Sequence, residues 1–235
     1  MKGKITILFV FAALAVGCGQ GKKAEQFKAL PFPDVQIPSM ISDQQEAYKY
    51  LAENYWNGIT DPSRNFRCDS LYVSGVQKEV LEQKFANWTA VLDNVETYFA
   101  VKSVGRLYDR AYECEKRNSS SNVFETFVEL AQKYLYDPNS PLRNEEYYLP
   151  FVSRYAAYEG LTDAEKGKYE REAHLCALNR IGTRAADFRF ADRNGRIRNL
   201  YDIESELTLL FFSNPGCEAC MEIITVLRED PVISN

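Results

Sequence analysis

Apolar and aromatic residues recur three and four positions apart between residues 42 and 180, which is the spacing of one face of an α-helix. Such regular stripes are more typical of a packed helical core than of a cofactor site. The chain has 235 residues, of which 46% are hydrophobic, so a sizeable core can form. The spacing therefore predicts an all-α domain over 42–180. The residues that carry the stripes include Leu51, Tyr55, Leu81, Phe85, Trp88, Val104, Tyr108, Phe124, Phe127 and Tyr134.

Capping and breaking residues predict where these helices begin and end. A capping box beginning at Ser42 predicts the start of the first helix, and a second helix is expected to begin near Ser74. Pro150 is expected to kink or shorten the helix that contains it. A further capping box at Thr162 opens a last helix that is predicted to run to about Arg180.

The pattern changes at Gly182. Phe188 and Phe190 alternate with polar residues, and Asn194-Gly195 is a hairpin signal. The apolar run 207–212 has the character of a buried strand, and a cysteine pair then opens a helix over about 218–229. The predicted fold class is therefore α+β, an all-α domain followed by a β-hairpin, a strand, the cysteine pair and a helix.

The cysteine pair, Cys217 and Cys220, has the spacing of a dithiol redox site. A cysteine at a helix N-terminus can have its pKa lowered to roughly 3.5–7.5, because unpaired N–H groups stabilise the thiolate. Cys217 is therefore the candidate attacking thiol, and Cys220, one turn later, is the candidate resolving thiol. Since an acidic neighbour disfavours a thiolate, Glu218 predicts a more reducing pair than a histidine would give.

Two other interpretations of this pair stay open. A closed zinc site needs four ligands, and only His174 and Cys176 lie nearby in the sequence. The pair could also be a static disulfide or two inert thiols, because this spacing alone is weak evidence for redox activity. The strand–turn–helix context favours the redox interpretation.

The remaining composition excludes several classes of function. Cys68, Cys114 and Cys176 allow at most one further internal disulfide, and Cys176 is expected to be a small buried residue. A single histidine, His174, argues against a histidine-based triad or a histidine-rich metal site. The net charge of −5, with scattered basic residues, gives no basic patch for nucleic acid. We expect no metal and no cofactor.

The first residues have the features of a targeting signal. Lys2 and Lys4 precede a short apolar run, and small residues lead to Cys18. The segment Ala15-Val16-Gly17-Cys18 resembles the lipobox of bacterial lipoproteins, which implies a signal peptide over 1–17 and lipidation at Cys18. An ordinary signal peptide with an incidental cysteine is the alternative. The polar and proline-spaced residues 18–41 are predicted to be a flexible tether.

The C-terminal residues resemble the opening of thioredoxin-like domains in thiol–disulfide interchange lipoproteins. The similarity covers about 181–231 and is carried in order by the following landmarks: Gly182, Ala185-Ala186-Asp187-Phe188, Asp192, Asn194-Gly195, Leu200, Leu209–Phe212 and Pro215-Gly216-Cys217-Glu218-Ala219-Cys220. The resemblance implies Cys217 as nucleophile and Cys220 as resolving cysteine. The chain departs from the usual pattern at Gly216, where those enzymes have Trp, and at Ala219, where they have Pro.

The helical residues resemble an uncharacterised domain found ahead of such modules in Gram-negative bacterial lipoproteins. The matching stretches are Tyr48–Leu51 through Tyr55-Trp56 and Gln132–Glu146, and the similarity spans most of 40–180. It implies no known activity for the domain.

Together these observations predict a lipoprotein attached by its lipid to the membrane on the periplasmic side of the cell envelope. The segment 181–235 is expected to be the N-terminal part of a thioredoxin-like domain, truncated before the later strands and the cis-proline loop. The predicted activity is thiol–disulfide exchange with protein thiols, or with an envelope redox partner, impaired by that truncation. The alternative is a non-catalytic envelope binding module whose helical domain, over 42–180, contacts a partner.

Overall fold

The structure, a computed structural model, describes residues 27–214 and 216–233. It divides into two compact units, of which the first ends at Cys176 and the second begins at Ala177. The α-helices of the described residues are α1 Gln44–Asn54, α2 Lys78–Leu92, α3 Thr97–Arg117, α4 Val123–Ala131, α5 Glu145–Tyr155, α6 Asp163–Ala177 and α7 Glu218–Glu229. The strands are β1 Tyr72–Val73, β2 Val76–Gln77, β3 Arg189–Ala191 and β4 Ile197–Asn199.

The first unit is built around one aromatic-rich core, as the helical stripes predicted. Phe85, Trp88 and Phe127 are fully buried, and the Trp56 ring packs edge-on against Phe127 at 4.8 Å between centroids. The indole N–H of Trp88 donates to the carbonyl of Ala52 at 3.1 Å, so the buried polar atom of that ring is satisfied. The apolar faces of α1 to α5 pack together in this one core.

The first unit is not entirely α-helical, so that part of the prediction is wrong. Ser74, where a helix was expected to start, lies with Gly75 in the two-residue turn of the β1–β2 hairpin. Both residues have positive φ, 49° and 81°, as a type I′ turn requires. Ser-Gly suits this turn as well as a helix cap, and α2 begins only at Lys78.

The predicted helix boundaries hold elsewhere with small shifts. Helix α1 is capped by Asp43, whose carboxylate accepts from the N–H of Glu46, rather than by Ser42. The capping box at Thr162 is present, with its N–H donating to Glu165 at 2.8 Å. Helix α5 contains Pro150 and continues five residues beyond it, to Tyr155.

Helix α4 continues directly into a π-helix over Gln132–Tyr136, an element that the apolar spacing does not reveal. The turn over 137–141 follows, and the Asn144 N–H donates to the Leu135 carbonyl at 3.0 Å. The side chain of Asn144 then caps α5.

Part of the segment predicted to be a flexible tether packs on the first unit. Phe32 is buried, with its ring edge-on to Trp56 at 5.6 Å. The N–H of Leu30 donates to the carbonyl of Gly75 at 2.9 Å. The prediction of a flexible tether is therefore wrong for this stretch, because the side chain of Phe32 packs against the core.

The second unit contains the predicted hairpin. Strands β3 and β4 pair antiparallel, with Ala191 opposite Ile197. Asp192 and Arg196 are joined by a backbone hydrogen bond, and Gly195 has a φ of 76°. This is a three-residue loop with glycine in the left-handed position, which explains the need for Gly195.

The predicted strand over 207–212 is absent from the structure. These residues are exposed, with Leu207 and Phe212 each at 82%, and they join no ladder. A strand is stabilised by pairing with a neighbour, and no strand among the described residues lies beside this run. An apolar run alone therefore does not make a strand.

The predicted signal peptide, 1–17, and the lipidation site, Cys18, lie outside the described residues. Within 27–214 and 216–233, no helix is long and apolar enough to cross a membrane.

Candidate active site

The turn before the cysteine pair depends on a glycine. Gly216 has a φ of 81°, in the left-handed region of the backbone where residues other than glycine are strained. The N–H of Cys217 then donates to the carbonyl of Asn214 at 3.3 Å. A tryptophan at position 216, the residue usual in the enzymes that this segment resembles, would be strained in this backbone.

Cys217 occupies the N-cap of α7. Its sulfur accepts a hydrogen bond from the Cys220 N–H, at 3.2 Å, and its carbonyl accepts from the Met221 N–H. Side chains at an N-cap satisfy N–H groups that have no partner within the helix. After reduction the same N–H remains available to a thiolate at Cys217.

Cys217 and Cys220 form a disulfide, with their Cα atoms 5.2 Å apart. Both side chains are half-buried, so a sulfur of the pair can be approached from solvent. Glu218 lies between them in the first turn of α7 and is exposed. The sequence thus predicted correctly that these two cysteines meet at the start of a helix, while the roles of attacking and resolving thiol stay predictions.

The other three described cysteines are free thiols of the first unit. Cys114 and Cys176 are buried, as expected for Cys176, and Cys68 is half-buried. Burial raises the pKa of Cys114, and burial with nearby Glu145 raises that of Cys176 to about 11. Both thiols are therefore protonated at neutral pH and poor nucleophiles.

The two other candidate residues, His174 and Cys176, do not belong to a metal site among the described residues. His174 is exposed on α6, and Cys176 is buried on the same helix. Among the residues that the structure describes, no three His, Cys, Asp or Glu side chains are placed to hold a metal ion. The feature that sequence reasoning missed is the left-handed backbone at Gly216, which a glycine directly before an N-cap could have signalled.

Comparison with known proteins places the chain among thioredoxin-like proteins. The crystal structure of a thioredoxin-like protein from Bacteroides caccae ATCC 43185 at 1.90 Å resolution is similar, with a TM-score of 0.71 and 32% sequence identity. The similarity covers 88% of this chain and 70% of that chain. No curated protein matches the chain.

The model of a family described as a domain of unknown function, DUF5106, matches residues 15–179. The chain belongs to this family. The match covers the helical residues and ends before the cysteine pair.

Proposed function

We propose that the chain exchanges thiols and disulfides with other proteins through Cys217 and Cys220. The observation that carries this proposal is the position of Cys217 at the N-cap of α7, half-exposed and within disulfide distance of Cys220. The likeness to a thioredoxin-like protein supports the same class of chemistry.

The exchange balances without a cofactor. In the reducing direction, the Cys217 thiolate attacks a substrate disulfide, forms a mixed disulfide and expels one substrate thiolate. The Cys220 thiolate then attacks the Cys217 sulfur and expels the second substrate thiolate. Two electrons pass to the substrate, each expelled thiolate takes a proton from solvent, and the Cys217–Cys220 disulfide is left.

We further propose that the chain works on the periplasmic side of the cell envelope, anchored to the membrane by lipid on Cys18. The positive start, the short apolar run and the small residues before Cys18 support this location. Disulfides persist outside the cytoplasm, where protein thiols and disulfides are available as partners. Lipid labelling that is lost in Cys18→Ala is the expected result, and labelling that survives this change would contradict the anchor.

The activity is tested with the chain from residue 19 onward and insulin as a disulfide substrate. With dithiothreitol as the electron donor that restores the Cys217–Cys220 dithiol, the native sequence should reduce insulin faster than dithiothreitol alone. This acceleration is expected to be lost in Cys217→Ser, whereas Cys68→Ser serves as a control with activity unchanged. The two roles are separated by trapping, because Cys220→Ser should accumulate a mixed disulfide through Cys217. Absence of turnover, or equal activity in Cys217→Ser, would contradict the proposal.

A second function is favoured by the extent of the family match. DUF5106 ends at residue 179, so the domain that defines the family excludes the cysteine pair. The alternative is a non-catalytic envelope binding module whose helical domain contacts a partner. A stable fold without residues 181–235, together with no disulfide reduction by the full chain, would favour this alternative.

A further inference from the structure

A charged groove lies on the first unit, on the side where α1, α3 and α5 meet. It is open to solvent and has a volume of about 520 Å³. Four basic side chains line it, three of them from successive turns of α3. These are Lys102, Arg106, Arg110 and Arg154.

Arg110 is fixed in place by the chain that follows α1. Its Nε donates to the Thr60 hydroxyl at 2.8 Å, and its Nη2 donates to the carbonyls of Asn57 at 3.3 Å and Thr60 at 3.2 Å. Its pKa is lowered first by burial and next by the positive charge of Arg106. The groove therefore holds a rigid, half-buried guanidinium beside a second one of like charge.

Arg154 is also held, because α3 has no side chain at Gly105. A Cβ at this position would come within 2.8 Å of Arg154 Nη2, so the guanidinium lies directly against the helix backbone. Arg154 Nε donates to Asp109 at 3.1 Å, and its Nη1 donates to the carbonyl of Pro150 at 2.9 Å. A second guanidinium is thus positioned before any ligand arrives.

Arg106 differs from both of these residues. Its side chain is exposed and makes no hydrogen bond or ion pair with any residue within 27–214 and 216–233. It lies one turn before Arg110 on the same face of α3. Its planar fork of donors is therefore open to the groove.

The carboxylates of the groove do not neutralise Arg106. Asp109 pairs with Arg154, and Glu113 pairs with Lys116 and Arg117. Glu53 lies 3.7 Å from Lys102. Each acidic side chain thus has another cation as partner.

We propose that this groove binds the oxyanion of a small molecule, a carboxylate or a phosphate, with Arg106 as its main ligand and Arg110 and Arg154 beside it. Guanidinium groups pair with both oxyanions through two parallel N–H···O bonds. An anion here also relieves the repulsion between neighbouring guanidinium groups, which gives it an advantage over water. The site is independent of the cysteine pair and of the proposed redox activity.

The test measures binding of inorganic phosphate and of succinate to the full chain by calorimetry. Ionic strength is held constant with chloride, because the groove is open to solvent and salt screens exposed charges. The variants are Arg106→Gln and its matched control Arg171→Gln, which removes an exposed arginine of α6 outside the groove. A third variant, Gly105→Ala, moves the Arg154 guanidinium without changing any charge.

Saturable binding of one or both anions at millimolar concentration is expected. Arg106→Gln should weaken it by about tenfold or more, since charge-assisted hydrogen bonds are lost, and Gly105→Ala should weaken it less. Arg171→Gln should change the affinity by less than about twofold. Binding of phosphate alone or of succinate alone identifies the oxyanion.

Two outcomes would overturn the proposal. The first is no saturable binding of either anion by a chain whose circular dichroism is that of a folded protein. The second is an equal loss of affinity in Arg106→Gln and Arg171→Gln, which would indicate only a nonspecific response to net charge.

Discussion

The two units of this chain use apolar residues in opposite ways. In the first unit, the stripes of α1 to α5 face one another, and Phe85, Trp88 and Phe127 are fully buried. In the second unit, α7 has no buried residue, and Met221 and Val226 on it are 56% and 67% exposed. Both regions have periodic apolar patterns, so a pattern predicts burial only where a second apolar surface is present to receive it.

The largest expected effect concerns the core of the first unit. Phe85→Ala removes a fully buried ring, so the free energy of unfolding should fall by about 3–5 kcal/mol. Val226→Ala, at an exposed site of α7, should change it by less than about 0.5 kcal/mol. Urea unfolding followed by far-ultraviolet circular dichroism measures both variants, because this signal reports on the helices of both units, whereas Trp56 and Trp88 belong to the first unit. Equal losses of unfolding free energy in Phe85→Ala and Val226→Ala would contradict the difference in burial between the two units.

The next effect concerns the reactivity of the thiols. After mild reduction at neutral pH, iodoacetamide should modify Cys217 and Cys220 at least about tenfold faster than Cys114 and Cys176, because the thiolate is the reactive form. Burial raises the pKa of Cys176 to about 11 and shields its sulfur. Mass spectrometry of peptides gives each rate, and the difference should disappear in denaturant. Native labelling of Cys176 as fast as that of Cys217 would contradict the buried position.

A smaller effect is expected from alkaline pH. The Tyr158 hydroxyl donates to Glu115 at 2.7 Å, and this bond, followed by burial, raises the Tyr158 pKa to about 12. Since the ordinary tyrosine pKa is about 10, the folded state holds a proton that the unfolded state loses. This contribution to stability is therefore complete below pH 10 and is lost as the pH rises to about 12.

Chemical denaturation at a series of pH values measures this loss. Tyr158→Phe should make the fall in unfolding free energy between about pH 10 and 12 shallower, because it removes one linked proton. Tyr98→Phe, at an exposed tyrosine of α3, is the control and should leave the slope unchanged. An unchanged slope in Tyr158→Phe would show that the Glu115 bond does not perturb this residue.

The smallest effect is expected at the cysteine pair itself. Glu218→His removes a negative charge beside Cys217 and should make the disulfide more oxidising by roughly 30 mV or less, since 30 mV corresponds to about 1.4 kcal/mol. Equilibration with glutathione buffers measures the potential. Glu222→His, one turn further along α7 and also exposed, is the control. A shift towards more reducing potentials would contradict a role for the Glu218 charge.

The sequence was most informative where a signal is local. The spacing of Phe85 and Trp88 predicted a buried helix face, and Asn194-Gly195 predicted a hairpin that the structure contains. The spacing of Cys217 and Cys220 predicted their meeting at the start of a helix. Each of these features depends on neighbours within a few residues, so the chemical identity of those residues is sufficient.

The sequence was least informative where distant residues decide the outcome. Ser74-Gly75 suits both a helix start and a hairpin turn, and the pairing of Val73 with Val76 selects the turn. The run 207–212 has the composition of a strand but lacks a neighbouring strand among the described residues. Arg106, Arg110 and Arg154 come from two helices, and no motif in the sequence connects them.

The sequence by itself determined the apolar helix faces of the first unit, the β3–β4 hairpin and the meeting of Cys217 and Cys220 at the start of a helix, because helix faces, turns and a two-residue cysteine spacing are encoded over short distances. Only the tertiary structure decided that Phe32 packs on the core, that Gly105 lets a guanidinium lie against α3, and that three arginines share one groove. These features arise when segments far apart in the chain come together, and the free energy of that packing depends on both partners.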